Sequence, residues 1–115
     1  MLIVLTTVAE KQAADVLAEM IVEARHAACV QVLPPMTSVY VWEGKIQSEP
    51  EHLLLIKTLP DKWEELRDFI TANHSYDVPE IVAIETEKVS GTYFDWMKEA
   101  LAERAEWKVE NEPQT

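Results

Sequence analysis

Glycine is nearly missing from this chain. Of 115 residues only Gly44 and Gly91 are glycine, so no Gly-rich loop of the common types is available to cradle a phosphate. Cysteine is scarcer still. With Cys29 alone, an internal disulfide and the zinc patterns built on cysteine pairs are excluded, and a reducing, cytoplasmic setting is the expectation. Histidine is limited to His26, His52 and His74; no HExxH helix is present, and no serine sits in a G-x-S-x-G elbow. Positive charge is short as well. Ten Lys and Arg against twenty-one Asp and Glu leave a formal charge of −11, with the acids spread along the chain. That leaves no basic face for nucleic acid or an anionic membrane, so neither is expected as a partner. Long apolar runs are also lacking: MLIVLTTVAEKQ has no basic start and turns polar after about eight residues, unlike a signal peptide or a membrane span.

What is there suits one soluble globular domain, with 48% apolar and 27% charged residues. The domain is expected over residues 1–108, with residues 109–115 as a loose tail. Leu2 to Val8 is a short β-branched run suited to a central strand. From Glu10 to Arg25, Ala13, Leu17, Met20, Ile21 and Ala24 recur at helical spacing, with Lys11, Asp15, Glu19 and Glu23 mostly opposite. Arg25 and His26 then fall where positive charge favours a helix C-terminus. Strand character resumes over Ala27 to Leu33, and Pro34-Pro35 predicts a kink or bulge.

Thr37 to Thr58 is the organising stretch. Its first arm alternates Val39 and Val41 against Ser38, Tyr40 and Trp42, Glu43-Gly44 interrupts it, and a second arm ends in Leu53-Leu54-Leu55-Ile56. This reads as a long hairpin, either with a tight type I′ turn or with a Gly-assisted bulge. Pro50 suits an edge or a bulge. A second helix starts near Pro60, where Asp61 can cap, and places Trp63, Leu66, Phe69 and Ile70 on one face before ending near Asn73 or His74. Ile81 to Glu85 is a further strand. Thr92 and Asp95 have capping-box spacing ahead of a third helix striped by Phe94, Met97 and Leu101, and Trp107 to Val109 is a candidate terminal strand. The order β-α-β-β-α-β plus a C-terminal helix predicts an α+β, ferredoxin-like sandwich with right-handed crossovers. The open edge of its long ribbon calls for a second copy of the chain.

Chemistry-bearing residues are few. Paired acids such as Glu49/Glu51 are expected on solvated faces, His52 on a solvated strand position, and Cys29 as a small buried hydrophobe. His74 stands in a loop with Tyr76, Asp77 and Glu80, where a binding role and a simple helix-end contact are both open. Lys57, at the end of an apolar strand, needs a partner, and Glu80 is the candidate.

These residues carry a family resemblance from about Leu2 to Leu101. Ala27-Ala28-Cys29-Val30, Thr37 to Lys45, Leu54-Leu55-Ile56-Lys57-Thr58, the H-x-Y-x-x-P-E segment of His74 to Glu80, and Tyr93-Phe94-Asp95-Trp96 together resemble the CutA family of divalent-cation tolerance proteins. The resemblance implies a cytoplasmic, ferredoxin-like homotrimer whose hairpins pair between subunits, much as in PII signalling proteins. It also implies a non-enzymatic role in tolerance of copper or another divalent cation, with no required cofactor. Where family members described as copper binders carry a cysteine and a second histidine, this chain has Thr6 and Asn73. The metal set it implies is therefore His74 with Asp77 and Glu80. The alternative is a signalling or scaffolding trimer that takes a small ligand or partner protein in clefts lined by Tyr40, Trp42, Lys57, Tyr76 and Trp96.

Overall fold

The computed structural model describes residues 1–102; the expected strand at Trp107 to Val109 and the tail lie outside them. The elements run β1 (Leu2–Val8), α1 (Lys11–Glu23), β2 (Cys29–Val32), β3 (Met36–Trp42), β4 (Lys45–Thr58), α2 (Trp63–Asn73), β5 (Val82–Glu85) and α3 (Gly91–Leu101). A single 3-10 turn, Pro60–Lys62, leads into α2.

β4 is the spine. Its second half pairs with β1 on one side and β2 on the other, β5 flanks β1, and every pairing is antiparallel, giving the order β2-β4-β1-β5. Among the described residues its first half pairs only with β3, from Met36↔Glu51 to Trp42↔Lys45. The expected second strand is thus two strands, both lying along β4. Between Val32↔Leu54 and Met36↔Glu51, residues 33–35 stand opposite only 52 and 53. That extra residue is the bulge Pro34-Pro35 announced, and it bends the ribbon away from the sheet. Pro50 makes no second bulge, because its register with Thr37 is unbroken. β1 stops opposite His52, so Pro50 lies where, among the described residues, β4 has no other neighbour to receive a donor.

At the ribbon tip Glu43 and Gly44 both have positive φ, 51° and 76°. That is the signature of a two-residue type I′ turn, which settles the choice left open by the sequence.

One face of the sheet is dry. Leu2, Val4, Val8, Leu54 and Ile56 meet Ala14, Leu17, Ile21, Leu66 and Ile70 in a single cluster, with Trp63 and Phe69 at its margin. Each buried Val, Leu or Ile side chain there contributes roughly 1.5–3 kcal/mol by leaving water. The buried stripe of α1 is Ala14, Leu17, Ala18 and Ile21. Ala13 and Ala24, expected inside, are exposed and Met20 is only half-buried. The helical period admits both stripes around Leu17 and Ile21, and small Ala14 and Ala18 let the helix sit close to the sheet. Two expected caps do not form. Asp61 belongs to the 3-10 turn and makes no capping bond. α3 starts at Gly91 behind Ser90 without a side-chain cap, and Asp95 lies 3.5 Å from Lys98 instead. Arg25 reaches the end of another helix: its Nη1 donates to the Ala102 carbonyl at 3.1 Å, past the last residue of α3.

The other face is less covered. By strand alternation it carries Ile3 and Leu5 on β1, Leu53, Leu55 and Lys57 on β4, and Val82 and Ile84 on β5. Val82 and Ile84 are half exposed.

Candidate functional site

The polar chemistry gathers where β4 passes from ribbon to sheet. Glu51 and His52 are adjacent there and both buried, at 8% and 7% exposure. This corrects the expectation of solvated positions for both. A polar mid-strand stretch that reads as surface in isolation is here covered by the bulge and by the loop after α2. His52 Nδ1 donates to the Leu33 carbonyl at 3.0 Å, and the Leu33 amide donates to Leu53 at 2.9 Å, so the bulge is stitched from both sides.

Tyr76 Oη donates to Glu51 Oε2 at 2.7 Å. Burial, then that bond and the Glu51 charge, hold the phenol proton well above the usual tyrosine range, with smaller contributions from Tyr40 and Glu49. The ring of Tyr76 leans on His74, centroid to centroid 4.7 Å. His74 Nε2 lies 2.8 Å from the Thr7 carbonyl, and its Nδ1 accepts the Tyr76 amide at 3.1 Å. The loop that begins at His74 is thereby fastened to β1 and to β4 at once.

The remaining expected site residues are scattered. Asp77 and Glu80 are exposed, and among the described residues no three His, Cys, Asp or Glu side chains come together to hold a metal ion. Lys57 does not take Glu80 as its partner. Its ammonium stands 5.5 Å over the Tyr93 ring, a cation–π contact, and Tyr93 in turn neighbours Trp96 at 5.6 Å. His26 Nδ1 lies 2.6 Å from Glu65 Oε2 and its ring lies against Phe69. Cys29 itself is half-buried on an edge strand rather than fully enclosed.

Tyr40, Trp42 and Trp96 are 42%, 52% and 48% exposed, large values for aromatics. Tyr40 and Trp42 share a ribbon face with Gln47 and Lys45, the face that continues along β4 to Glu51 and Lys57. Lys45 opposes Trp42, and the twelve-residue rise from Lys45 to Lys57 is about 40 Å at strand spacing. One chain therefore presents three stations: Trp42 towards the tip, Tyr76 with Glu51 and nearby Tyr40 at the base, and Lys57 with Tyr93 and Trp96 at the far end. Glu51, His52 and Thr7 were missed from sequence. No local signal marked Glu51, because Gln47 to His52 reads as a polar stretch around Pro50.

A concavity lies elsewhere. It is an open groove of about 480 Å³ between α1 and the end of α2, lined by Gln12, Ala13, Val16, Met20 and Asn73 among others, with no convergent charge.

The comparisons with known proteins agree with this architecture. Residues 2–100 match the model of a family described as CutA1 divalent ion tolerance protein. A chloroplastic CutA protein of Arabidopsis thaliana is 44% identical over 84% of this chain and 53% of its own length. The divalent-cation tolerance protein CutA of Thermus thermophilus is 40% identical over 84% of this chain and 94% of its own. The solved structure of the Thermus thermophilus protein superposes with a TM-score of 0.84 at 39% identity, covering 89% of this chain and all of that one. This chain spans about half the length of the Arabidopsis relative.

Proposed function

The chain belongs to the CutA1 divalent ion tolerance family, and from that premise we propose that it serves divalent-cation tolerance as a non-enzymatic homotrimer of ferredoxin-like protomers. The observation that carries the proposal is the ribbon. Val39, Val41 and Ile46 are 67%, 69% and 78% exposed on a projecting two-stranded element. Such an edge invites pairing with another chain, and Val82 and Ile84 extend apolar surface onto the open sheet face. A ribbon that reaches a different surface on its neighbour makes a heterologous contact, which closes into a ring when the rotation permits. The antiparallel order β2-β4-β1-β5, with two helices on one face, supports the ferredoxin-like assignment. The cation handled, copper or another divalent ion, would act on the assembly, since one chain gathers no ligand set among the described residues. The lone Cys29 supports a reducing, cytoplasmic place of work.

Sedimentation velocity at micromolar concentration tests the assembly. A species of three chain masses is expected, and a monomer would overturn the proposal.

A second reading has its own support. The three stations share one face of β4 yet lie far apart along it, so neighbouring chains could join the Trp42 station of one to the Lys57–Trp96 station of another. A small ligand or partner protein held in such a cleft would make the trimer a PII-like signalling or scaffolding device. Tryptophan fluorescence titrated with small anionic metabolites tests it: a saturable change lost in Trp42→Ala favours the cleft, and a flat response counts against it.

A further inference from the structure

We infer that His74 is the positioning residue of a clasp that closes the base of the ribbon and holds Tyr76 on the buried carboxylate of Glu51, rather than a cation ligand. The hydrogen bonds assign its protons. Nδ1 accepts the Tyr76 amide at 3.1 Å, so that nitrogen bears no hydrogen. Nε2 lies 2.8 Å from the Thr7 carbonyl oxygen, which can only accept, so Nε2 carries the proton. The imidazole is neutral and both its nitrogens are spent on backbone. A metal needs a ring lone pair, and the one this ring possesses points at an amide two residues along its own chain. With Asp77 and Glu80 exposed, and no three ligand side chains together among the described residues, the residues do not fit a cation centre within one chain.

The same bonds fit a clasp well. A side-chain acceptor taking the amide two residues on is the geometry of an Asx turn, and here the imidazole supplies the acceptor. The turn sets the Tyr76 ring against His74 at 4.7 Å and brings its hydroxyl to Glu51 at 2.7 Å. Thr7 belongs to β1, in the interior of the sheet, so the loop is fastened to a rigid element. Glu51 is only 8% exposed, and a buried carboxylate is costly without a donor. Tyr76 is that donor, and His74 keeps it in place. The clasp lies within a single chain and does not depend on how many copies assemble.

Three measurements test it. The groups facing the Tyr76 hydroxyl are Glu51, Glu49 and Tyr40, and the chain has three tyrosines. In an alkaline absorbance titration of the native protein, one tyrosine should ionise later than the other two. In His74→Ala that late step should fall into the range of the others. His74→Asn, which restores an acceptor for the Tyr76 amide, should recover part of the delay. Nitrogen NMR of the native protein near pH 8 should show His74 as the neutral tautomer protonated at Nε2, a readout that stands even where a variant fails to fold. Calorimetric titration with Cu(II) should give equal heats for the native protein and His74→Ala. A late tyrosine step that survives His74→Ala, an Nδ1-protonated ring, or a saturable Cu(II) heat abolished by His74→Ala would each overturn the clasp.

Discussion

The two halves of β4 are one strand with two fates. From Lys45 to Pro50 nearly every residue is exposed, Ile46 at 78%; from Glu51 to Thr58 every second residue or more is buried, with Leu54 and Ile56 at 0%. The alternation of side chains is the same throughout. What differs is the company: two partner strands and two helices cover the second half, whereas among the described residues β3 alone pairs with the first. Burial here is a property of the neighbours a segment finds, and the ribbon is the half that finds fewer of them among the described residues.

The sharpest way to separate the halves is to damage each. Ile56→Ala, in the sheet half, should destabilise the protomer by about 2–5 kcal/mol, read as a lowered denaturant midpoint with unchanged slope. A smaller effect, with its own pH signature, is expected at the junction. Tyr76→Phe removes the donor to a buried carboxylate and should cost about 1.5–3 kcal/mol. The native protein should also lose stability in alkali. Above the unfolded tyrosine pKa of about 10, the unfolded chain releases the Tyr76 proton while the folded chain keeps it. The unfolded state then binds fewer protons, so stability falls as pH rises through the folded value and is fully present below pH 10. Tyr76→Phe should flatten that part of the pH profile, and denaturant melts at pH 9 and pH 11 will show it.

Ribbon changes should leave the protomer folded. Val41→Lys with Ile46→Lys should keep the circular dichroism spectrum and weaken self-association at least about tenfold, the equivalent of roughly 1.4 kcal/mol, as read by sedimentation equilibrium. The smallest expected effect runs the other way. Thr6 Oγ1 is buried with no hydrogen-bond partner, on the core side of β1 between Val4 and Val8. Thr6→Val keeps the shape and removes the orphaned hydroxyl, so a gain of about 1 kcal/mol is expected, measurable as a raised melting temperature.

Much of this was legible in the residues. Strands and helices followed from apolar spacing, and Leu66, Ile70, Met97 and Leu101 are buried as their stripes predicted. Pro34-Pro35 marked its bulge. The site was less legible, because its members are joined by contacts distant in sequence. Tyr76 meets Glu51 across 25 positions and His74 meets Thr7 across 67, and no local pattern encodes either. The caps at Asp61 and Thr92 failed for a related reason: spacing permits a cap, but the backbone entering the helix decides whether the side chain can reach.

By itself, then, the sequence determined the elements, the family resemblance and the long hairpin with its open edge, all of which rest on local spacing and composition. Only the tertiary structure decided that Glu51 and His52 are buried, that Lys57 rests on Tyr93, and that His74 spends both nitrogens on backbone. The physical reason is that burial and hydrogen-bond partnership depend on which distant segments pack together. A single residue carries its chemistry in its side chain, but the fold selects the neighbour that uses it.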